Sequence, residues 1–433
     1  MLKKKIIKKD HLKPFLRKLS KGSDLIAPVR NELGDVLYQK IHSLDHQEID
    51  LSTQPQESAK PFFFPQSECL FTYKCSGGYR FEPEKDSRPT VLFGLRSCDI
   101  SAILYMDVIF MRGPRDAHYV RKRDKTVIIG IGCNHPWENC FCNGTKTGPF
   151  LEFGFDLQLT DLGDRYFVES GRARGDSLMD NWPQFFSPVT EEDKKLRYQL
   201  VLEARSGFTR QVHLESAFNR IKDQGVDPSI WKHLAKRCDG CGGCAYICPT
   251  CTCFTIFDRA ISKDQGQRMR SWDSCTHLGF TEMAGGHNPV NPVEDRLKRR
   301  FLHKIYYDFL EFKRPGCVGC GRCLGICFGG VDIGLFVEMV CSNHKNHEEE
   351  EAAKLLAKLL LEAGLVDEET INKALEQKKK DGTPLGKILV DKGILNRHQL
   401  AKLLLEQVSS FEDGKTSGKR AQYEYPKYKQ HLL

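Results

Sequence analysis

No stretch of this 433-residue chain approaches the roughly 18 to 20 uninterrupted apolar residues that a membrane span needs. Among its longest apolar runs, Ala352 to Leu365 is broken by Lys354, Lys358 and Glu362. No arginine-rich stripe interleaved with aromatics is present, so the net charge of +8, from 65 basic against 57 acidic residues, reads as a solvated surface and not as a nucleic-acid face. Gly130-Ile-Gly132 stops short of the Gly-x-Gly-x-x-Gly pattern, so a Rossmann-type dinucleotide site is not supported; Walker, His-Glu-x-x-His and Gly-x-Ser-x-Gly motifs are also missing. His118, His135, His277, His287 and His303 stand singly, as satisfied polar groups usually do. Met1 to Lys9 is lysine-rich, but Asp10 to Ser20 is polar where an export signal would be apolar, so the expected location is cytoplasmic, where thiols stay reduced.

What the chain has in quantity is cysteine, 18 in all, and eight of these fall into two runs: Cys238-x2-Cys241-x2-Cys244-x3-Cys248-Pro249 and Cys317-x2-Cys320-x2-Cys323-x3-Cys327. Three thiolates at this spacing wrap one [4Fe-4S] cube, and the fourth turns toward a second cube. Crossed ligation is therefore expected: Cys238, Cys241, Cys244 and Cys327 for one cluster, Cys317, Cys320, Cys323 and Cys248 for the other. Structural zinc is the competing use of four thiolates, but zinc motifs usually separate their Cys-x2-Cys knuckles by a dozen or more residues. Small residues let backbone approach a cube, so amides around Gly240, Gly242, Gly243, Gly319 and Gly321 are candidates for hydrogen bonds to sulfur. Lys232, Lys236, Arg237 and Arg322 are candidate cations for the negative clusters.

The pattern predicts an α+β multidomain chain. Residues 1–185 read as an α/β domain, with strands at Leu25–Val29, Val36–Ile41, Thr90–Leu95, Thr126–Ile131 and Arg165–Glu169 and a helix over Ile100–Phe110. Residues 186–341 read as a helical segment plus a ferredoxin-like dicluster domain. Its two runs are separated by a long insert of 68 residues, ending in a basic helix from about Pro292 to Lys313 that leads into Cys317. A charged linker at 342–351 precedes a small all-α repeat at 352–407. There Leu356, Leu359, Leu360, Gly364, Leu365, Val366 and Ile371 align with Leu385, Ile388, Leu389, Gly393, Ile394, Leu395 and Leu400. So short a repeat cannot bury its apolar face alone, and the copies should pack together. Residues 408–433 read as a flexible tail.

Cys98 follows one strand, and Cys133, Cys140 and Cys142 follow another. Loops leaving neighbouring strands at one sheet edge could bring these four thiols together as a third cluster site; the alternative is four buried, unliganded cysteines. Cys251, Cys253 and Cys275 are either further ligands or packing, with packing favoured. Cys69, Cys75 and Cys341 read as structural.

The motifs Gly94-Leu-Arg-Ser-Cys-Asp-Ile100, Cys140-Phe-Cys142 with Thr147-Gly-Pro149, Leu159-Thr-Asp-Leu-Gly163, Pro249-Thr-Cys251 and Trp272-Asp-Ser-Cys275, together with the two cysteine runs, carry a family resemblance. Over residues 1 to about 335 the chain resembles the beta subunit of cytosolic sulfhydrogenase and, equally, the corresponding 4Fe-4S dicluster subunit of anaerobic sulfite reductase. The resemblance implies a non-catalytic iron–sulfur subunit, which relays electrons between two partners: a flavin-containing reductase subunit, and a catalytic metalloenzyme subunit bearing nickel–iron or sirohaem. One departure is Phe328-Gly-Gly330 after Cys327, where the pattern usually has proline. The C-terminal repeat resembles the N-terminal domain of type II secretion and type IV pilus ATPases, some of which bind cyclic di-GMP. Pro384 and Leu355 stand where an arginine is expected, and Ala357 replaces a glycine, so a protein-docking role is favoured over nucleotide binding.

The expected function is electron transfer within an oxidoreductase complex of anaerobic metabolism, with two [4Fe-4S] clusters and room for a third. The alternative is a redox-sensing or scaffold protein that signals through the C-terminal repeat. A third reading, that the chain itself reduces sulfur, needs an open substrate site, and the sequence offers none.

Overall fold

The computed structural model describes residues 3–83, 88–381, 383–396 and 399, with side chains at 343–352 and 379–381 left out of the description. In chain order the strands are β1 (Lys4–Lys8), β2 (Asp24–Arg30), β3 (Val36–Lys40), β4 (Ser67–Lys74), β5 (Arg80–Pro83), β6 (Thr90–Arg96), β7 (Thr126–Ile131), β8 (Leu157–Asp161), β9 (Arg165–Ser170), β10 (Phe186–Ser187), β11 (Phe254–Ser262) and β12 (Gln265–Trp272). Eight of them form one mixed sheet in the order β10-β1-β9-β8-β7-β6-β2-β3. Its centre is parallel, β2 with β6, β6 with β7, and β7 with β8. Parallel strands covered on both faces carry apolar residues at every position. Accordingly Leu25, Val91, Phe93, Ile129 and Ile131 pack on one face, while Ile26, Leu92 and Ile128 pack on the other beneath Ile100, Ile103 and Met106 of the helix Ser97–Met111.

The strands expected from the sequence are all present. Residues Met1–Cys341 form one compact unit, however, without the division at 185/186 read from the sequence. The physical reason is a second sheet, β11-β12-β4-β5, in which β12 from the insert between the two cysteine runs pairs with β4 from the N-terminal part. Pairing across almost 200 residues of chain leaves no local signature. The expected basic helix is broken into Val293–Leu302, a π-helical turn His303–Tyr307, and Asp308–Phe312.

The second unit comprises residues 342–433. The charged stretch 342–351 lies within a helix, Ile333–Glu362, since a run of glutamates is compatible with helical backbone. Leu356, Leu360, Val366 and Ile371 of the first repeat share one core with Leu385, Ile388, Leu389 and Leu395 of the second. Gly364 and Gly393 occupy equivalent left-handed turns, at φ 65° and 70°. Leu400 and the expected tail at 408–433 lie outside the described residues.

The rim of the large sheet is locked by Asp156, which is fully buried just ahead of β8. Its carboxylate accepts from the Ile128 amide at 2.7 Å, from Arg172 Nε at 2.6 Å and from Arg174 Nε at 2.7 Å. Burial alone would raise its pKa, but the hydrogen bonds from Arg174 and Arg172 outweigh it, and the group is held below its ordinary value. A carboxyl depressed in the folded state stabilises above its unfolded pKa, and that stability is lost as pH falls through the folded value. Asp156→Ala should therefore destabilise by about 3 kcal/mol, the low end for breaking a buried pair because both arginines reach the surface. Urea titrations at pH 7 and in acid check this, and the wild-type advantage should shrink toward low pH.

Candidate iron–sulfur site

The cysteines gather in three places within the first unit. In the first run, Cys238, Cys241 and Cys244 lie close enough for their charges to interact, and Cys327 from the end of the second run joins them. This group reaches the surface: Cys241 is exposed, and the other three are half-buried. In the second run, buried Cys317, Cys320 and Cys323 line a cavity together with half-buried Cys248 from the end of the first run. Cys327 thus lies among the thiols of the first run, and Cys248 among those of the second.

A second cavity is lined by Cys98, Cys133, Cys140 and Cys142, with Trp137 and Phe208 closing it. All four thiols are buried. The topology explains the convergence: β6 and β7 are parallel neighbours, so Cys98, just past the end of β6, and Cys133, just past the end of β7, emerge at the same sheet edge. Cys140 and Cys142 arrive on the loop that follows. Cys320 of the second run sits against this group, its carbonyl accepting from Cys140 Sγ at 3.7 Å, and its charge is felt by Cys98 and Cys142.

Gly319 makes that approach possible. Its φ of +61° belongs to the left-handed region, and a Cβ there would stand 2.6 Å from the backbone carbonyl carbon and oxygen of Phe141. The Phe141 amide donates to Gly319 O at 2.8 Å, and Thr147 Oγ1 donates to Val318 O at 2.8 Å, so the second run and the Cys140–Cys142 loop are stitched together through the backbone. Gly319 N also donates to Cys317 Sγ at 3.4 Å, and Gly240 N to Cys238 Sγ at 3.4 Å. Gly242 and Gly321 adopt left-handed backbone, whereas Gly243 simply starts a short helix. Val331 N donates to Cys327 Sγ at 3.2 Å, and Phe328, in place of the usual proline, is fully exposed.

Burial pushes the thiols up: Cys140 and Cys317 to about 12, and Cys98, Cys142 and Cys323 well above their ordinary value. Holding them as thiolates therefore requires positive charge nearby, and the structure supplies it at positions that the sequence reading passed over. Arg300, fully buried, donates from Nη1 to Cys251 Sγ at 3.2 Å and from Nη2 to the Cys244 carbonyl at 2.8 Å. Lys304, one turn on, donates to Thr250 Oγ1 at 2.9 Å and Gly316 O at 2.8 Å. Burial would discharge both, but thiolate charge at Cys244, Cys251 and Cys248 around Arg300, and at Cys248 and Cys251 around Lys304, holds them protonated. Arg96 plays the matching part beside Cys133. The Nε atoms of Arg96 and Arg300 are both buried without a hydrogen-bond partner.

Of the cations expected from the sequence, Lys232, Lys236 and Arg237 are exposed at the surface. Arg322 is buried but already neutralised: Asp99 accepts from it at 2.7 and 3.0 Å. A signal for the true pair existed in the sequence, because Arg296, Arg300, Lys304 and Asp308 recur every four residues beside Leu297, Phe301 and Ile305, a charged row adjoining an apolar one. Cys253 and Cys275 lie near enough to shift each other's titration, as do Cys251 and Cys248.

The donor set fits iron–sulfur clusters. It is all thiol, arranged in groups of four, and Arg300, with an unpaired buried guanidinium nitrogen, lines the cavity of the second group. Residues 237–331 match the family model of the 4Fe-4S dicluster domain. The chain is accordingly an iron–sulfur protein of the electron-transferring, oxidoreductase-subunit class. It is 31% identical over 318 residues, 73% of this chain and 92% of the relative, to sulfhydrogenase 2 subunit beta of Pyrococcus furiosus. The chain belongs to the sulfhydrogenase beta-subunit family. Among the described residues no helix is long and apolar enough to cross a membrane.

Two glycines separate packing from mere proximity to sulfur. Gly319→Ala should cost about 2–4 kcal/mol, from left-handed strain plus overpacking against Phe141. Gly243→Ala, whose Cβ would meet nothing nearer than Cys241 Sγ at 3.7 Å, should lie within about 1 kcal/mol of wild type. Chemical denaturation of the anaerobically purified proteins checks the contrast.

Proposed function

We propose that this chain is the electron-relay subunit of a multi-subunit oxidoreductase, standing between two partners, one flavin-containing and one a catalytic metal-bearing subunit, and that it holds three [4Fe-4S] clusters. The observation that carries the reading is the continuity of its thiols. Cys320 of the second group abuts Cys98, Cys140 and Cys142, and Cys248 ties the second group to the run that supplies the first. Cys98, Cys133, Cys140 and Cys142 would hold one cluster, Cys317, Cys320, Cys323 and Cys248 the next, and Cys238, Cys241, Cys244 and Cys327 the one nearest the surface. Bound there, the clusters supply one-electron transfer. The chain's own side chains set the electrostatics: Arg96, Arg300 and Lys304 offset negative charge in the interior, and Gly240 and Gly319 donate amides to sulfur. A subunit named beta in the relative fits a chain that works among partners. The C-terminal helical unit, with its own core, is read as a protein-docking module, and Pro384 and Leu355 disfavour cyclic di-GMP. The expected compartment is the cytoplasm.

Iron analysis with low-temperature paramagnetic resonance tests the cluster count. About twelve irons per chain are expected, falling to about eight in Cys142→Ser; about eight in the wild type would remove the N-terminal site. In a redox titration followed by the same resonance, Arg300→Gln should move midpoint potentials to more negative values, because a buried positive charge that favours the reduced state is gone. Arg237→Gln, at the surface, should leave them in place.

A further inference from the structure

Six cysteines lie outside the twelve assigned to iron, and two of those six form a pair on their own. Cys253 immediately precedes β11 and Cys275 closely follows β12, so the base of one hairpin brings them together; the Asp273 amide donates to Cys253 O at 2.9 Å. The register of that hairpin, Phe254 opposite Trp272, sets the two thiols near enough to perturb each other, and they are not cross-linked. The neighbouring Cys248–Cys251 contact differs, because Cys248 belongs to the second thiol group. Cys253 is half-buried and therefore reachable, whereas Cys275 is buried behind it.

We propose that Cys253 and Cys275 are a redox-active dithiol that undergoes thiol–disulfide exchange with a low-molecular-weight disulfide. Cys253, as thiolate, attacks one sulfur of R–S–S–R; that bond breaks, a protein–S–S–R bond forms, and the departing RS⁻ takes up a proton. Cys275 then attacks Cys253 Sγ, the protein–S–S–R bond breaks, the intramolecular disulfide forms, and the proton of Cys275 goes to the second RS⁻. One disulfide has been reduced to two thiols and two thiols oxidised to one disulfide, with no electron left over. The roles follow from the surroundings. The neighbouring Cys275 thiol, helped by Lys304 and His303, pulls Cys253 down to about 6 against the opposing effect of burial, and Cys253 in turn raises Cys275. The outer sulfur is thus the nucleophile and the inner one the resolving thiol.

The exchange requires no iron, so its test stands apart from the cluster count. The full chain, purified anaerobically with its iron, is equilibrated across buffers of reduced and oxidised glutathione, quenched, alkylated and mapped by mass spectrometry. Cys253 and Cys275 should lose alkylation together in a single two-electron transition, with iron content unchanged. Cys275→Ser should trap glutathione on Cys253, and Cys253→Ser should leave Cys275 fully alkylatable. The proposal is overturned if both cysteines stay alkylatable across the whole range, if the cross-link forms to Cys251 instead, or if Cys253→Ser loses about four irons per chain, which would make Cys253 a ligand.

Discussion

Negative charge cannot be brought into a protein interior without something to meet it, and most of this structure answers that requirement. Desolvation holds the buried thiols above their ordinary pKa, so any state in which they act as thiolates needs buried cations. Arg300 and Lys304 are supplied by a helix whose other rows are the hydrophobic core, and the helix keeps both in place through carbonyl, hydroxyl and thiol acceptors. Among the described residues neither has a carboxylate partner within salt-bridge distance. Arg322 shows the contrast: as deeply buried, but clamped by Asp99, which also accepts from Tyr38 at 3.1 Å, it contributes shape and little net charge. The π turn at His303–Tyr307, a feature that recurs at functional sites, lies between Arg300 and Asp308, where Tyr105 OH donates to the carboxylate at 2.8 Å. The charged row is therefore closed at its far end by a satisfied acid.

The same requirement explains why the N-terminal sheet and the dicluster segment are one unit. A four-thiol cavity at the rim of the large sheet would be open to water if only its own loop covered it. Val318 and Cys320 from the second run pack against Cys98, Cys140 and Cys142, and Gly319 allows the two backbones to touch. Lys60 adds a tie from the other side, donating to Tyr246 O at 3.0 Å and Cys251 O at 3.3 Å while lying 3.7 Å from the centre of the Trp272 ring. Burial lowers Lys60 to about 8, so that contact too is made at an electrostatic cost, offset only in part by the nearby thiolates.

Local rules reached the parts of this fold that local rules determine. The parallel strands were legible because both-face burial writes continuous apolar runs such as Val91 to Leu95 and Ile128 to Ile131, and the cysteine spacing is itself a geometric statement about a cube. The strand Lys4–Lys8 was hidden because three of its five residues are lysines, the composition of a solvated arm. The β4–β12 pairing was hidden by its sequence separation. The buried cations were missed for a different reason: proximity to a cysteine run in sequence suggested Lys232 and Arg237, while proximity in space belongs to Arg300 and Lys304, some 50 residues away. The grouping of Cys98 with Cys133 was readable only because adjacent parallel strands end at the same edge; their contact with Cys320 was not, since it depends on the packing of Gly319.

On the proposed reading, the three thiol groups differ in depth, and depth assigns them different tasks. The N-terminal group is buried throughout and the second is buried except at half-buried Cys248, so their potentials answer to Arg96, Arg300 and Lys304. The first group holds the one fully exposed cysteine of the three groups, Cys241, and the chain around it leaves Ile326 and Phe328 exposed. A proline after Cys327 would have fixed the backbone there; phenylalanine instead offers a large apolar side chain beside the most exposed of the cysteine groups. Exposed aromatic surface next to an accessible redox centre is what a docking face requires, because short transfer distance and apolar burial are then obtained from the same contact. The departure from the family pattern at Phe328 therefore removes no sulfur ligand, and it alters the surface through which the outermost group is reached.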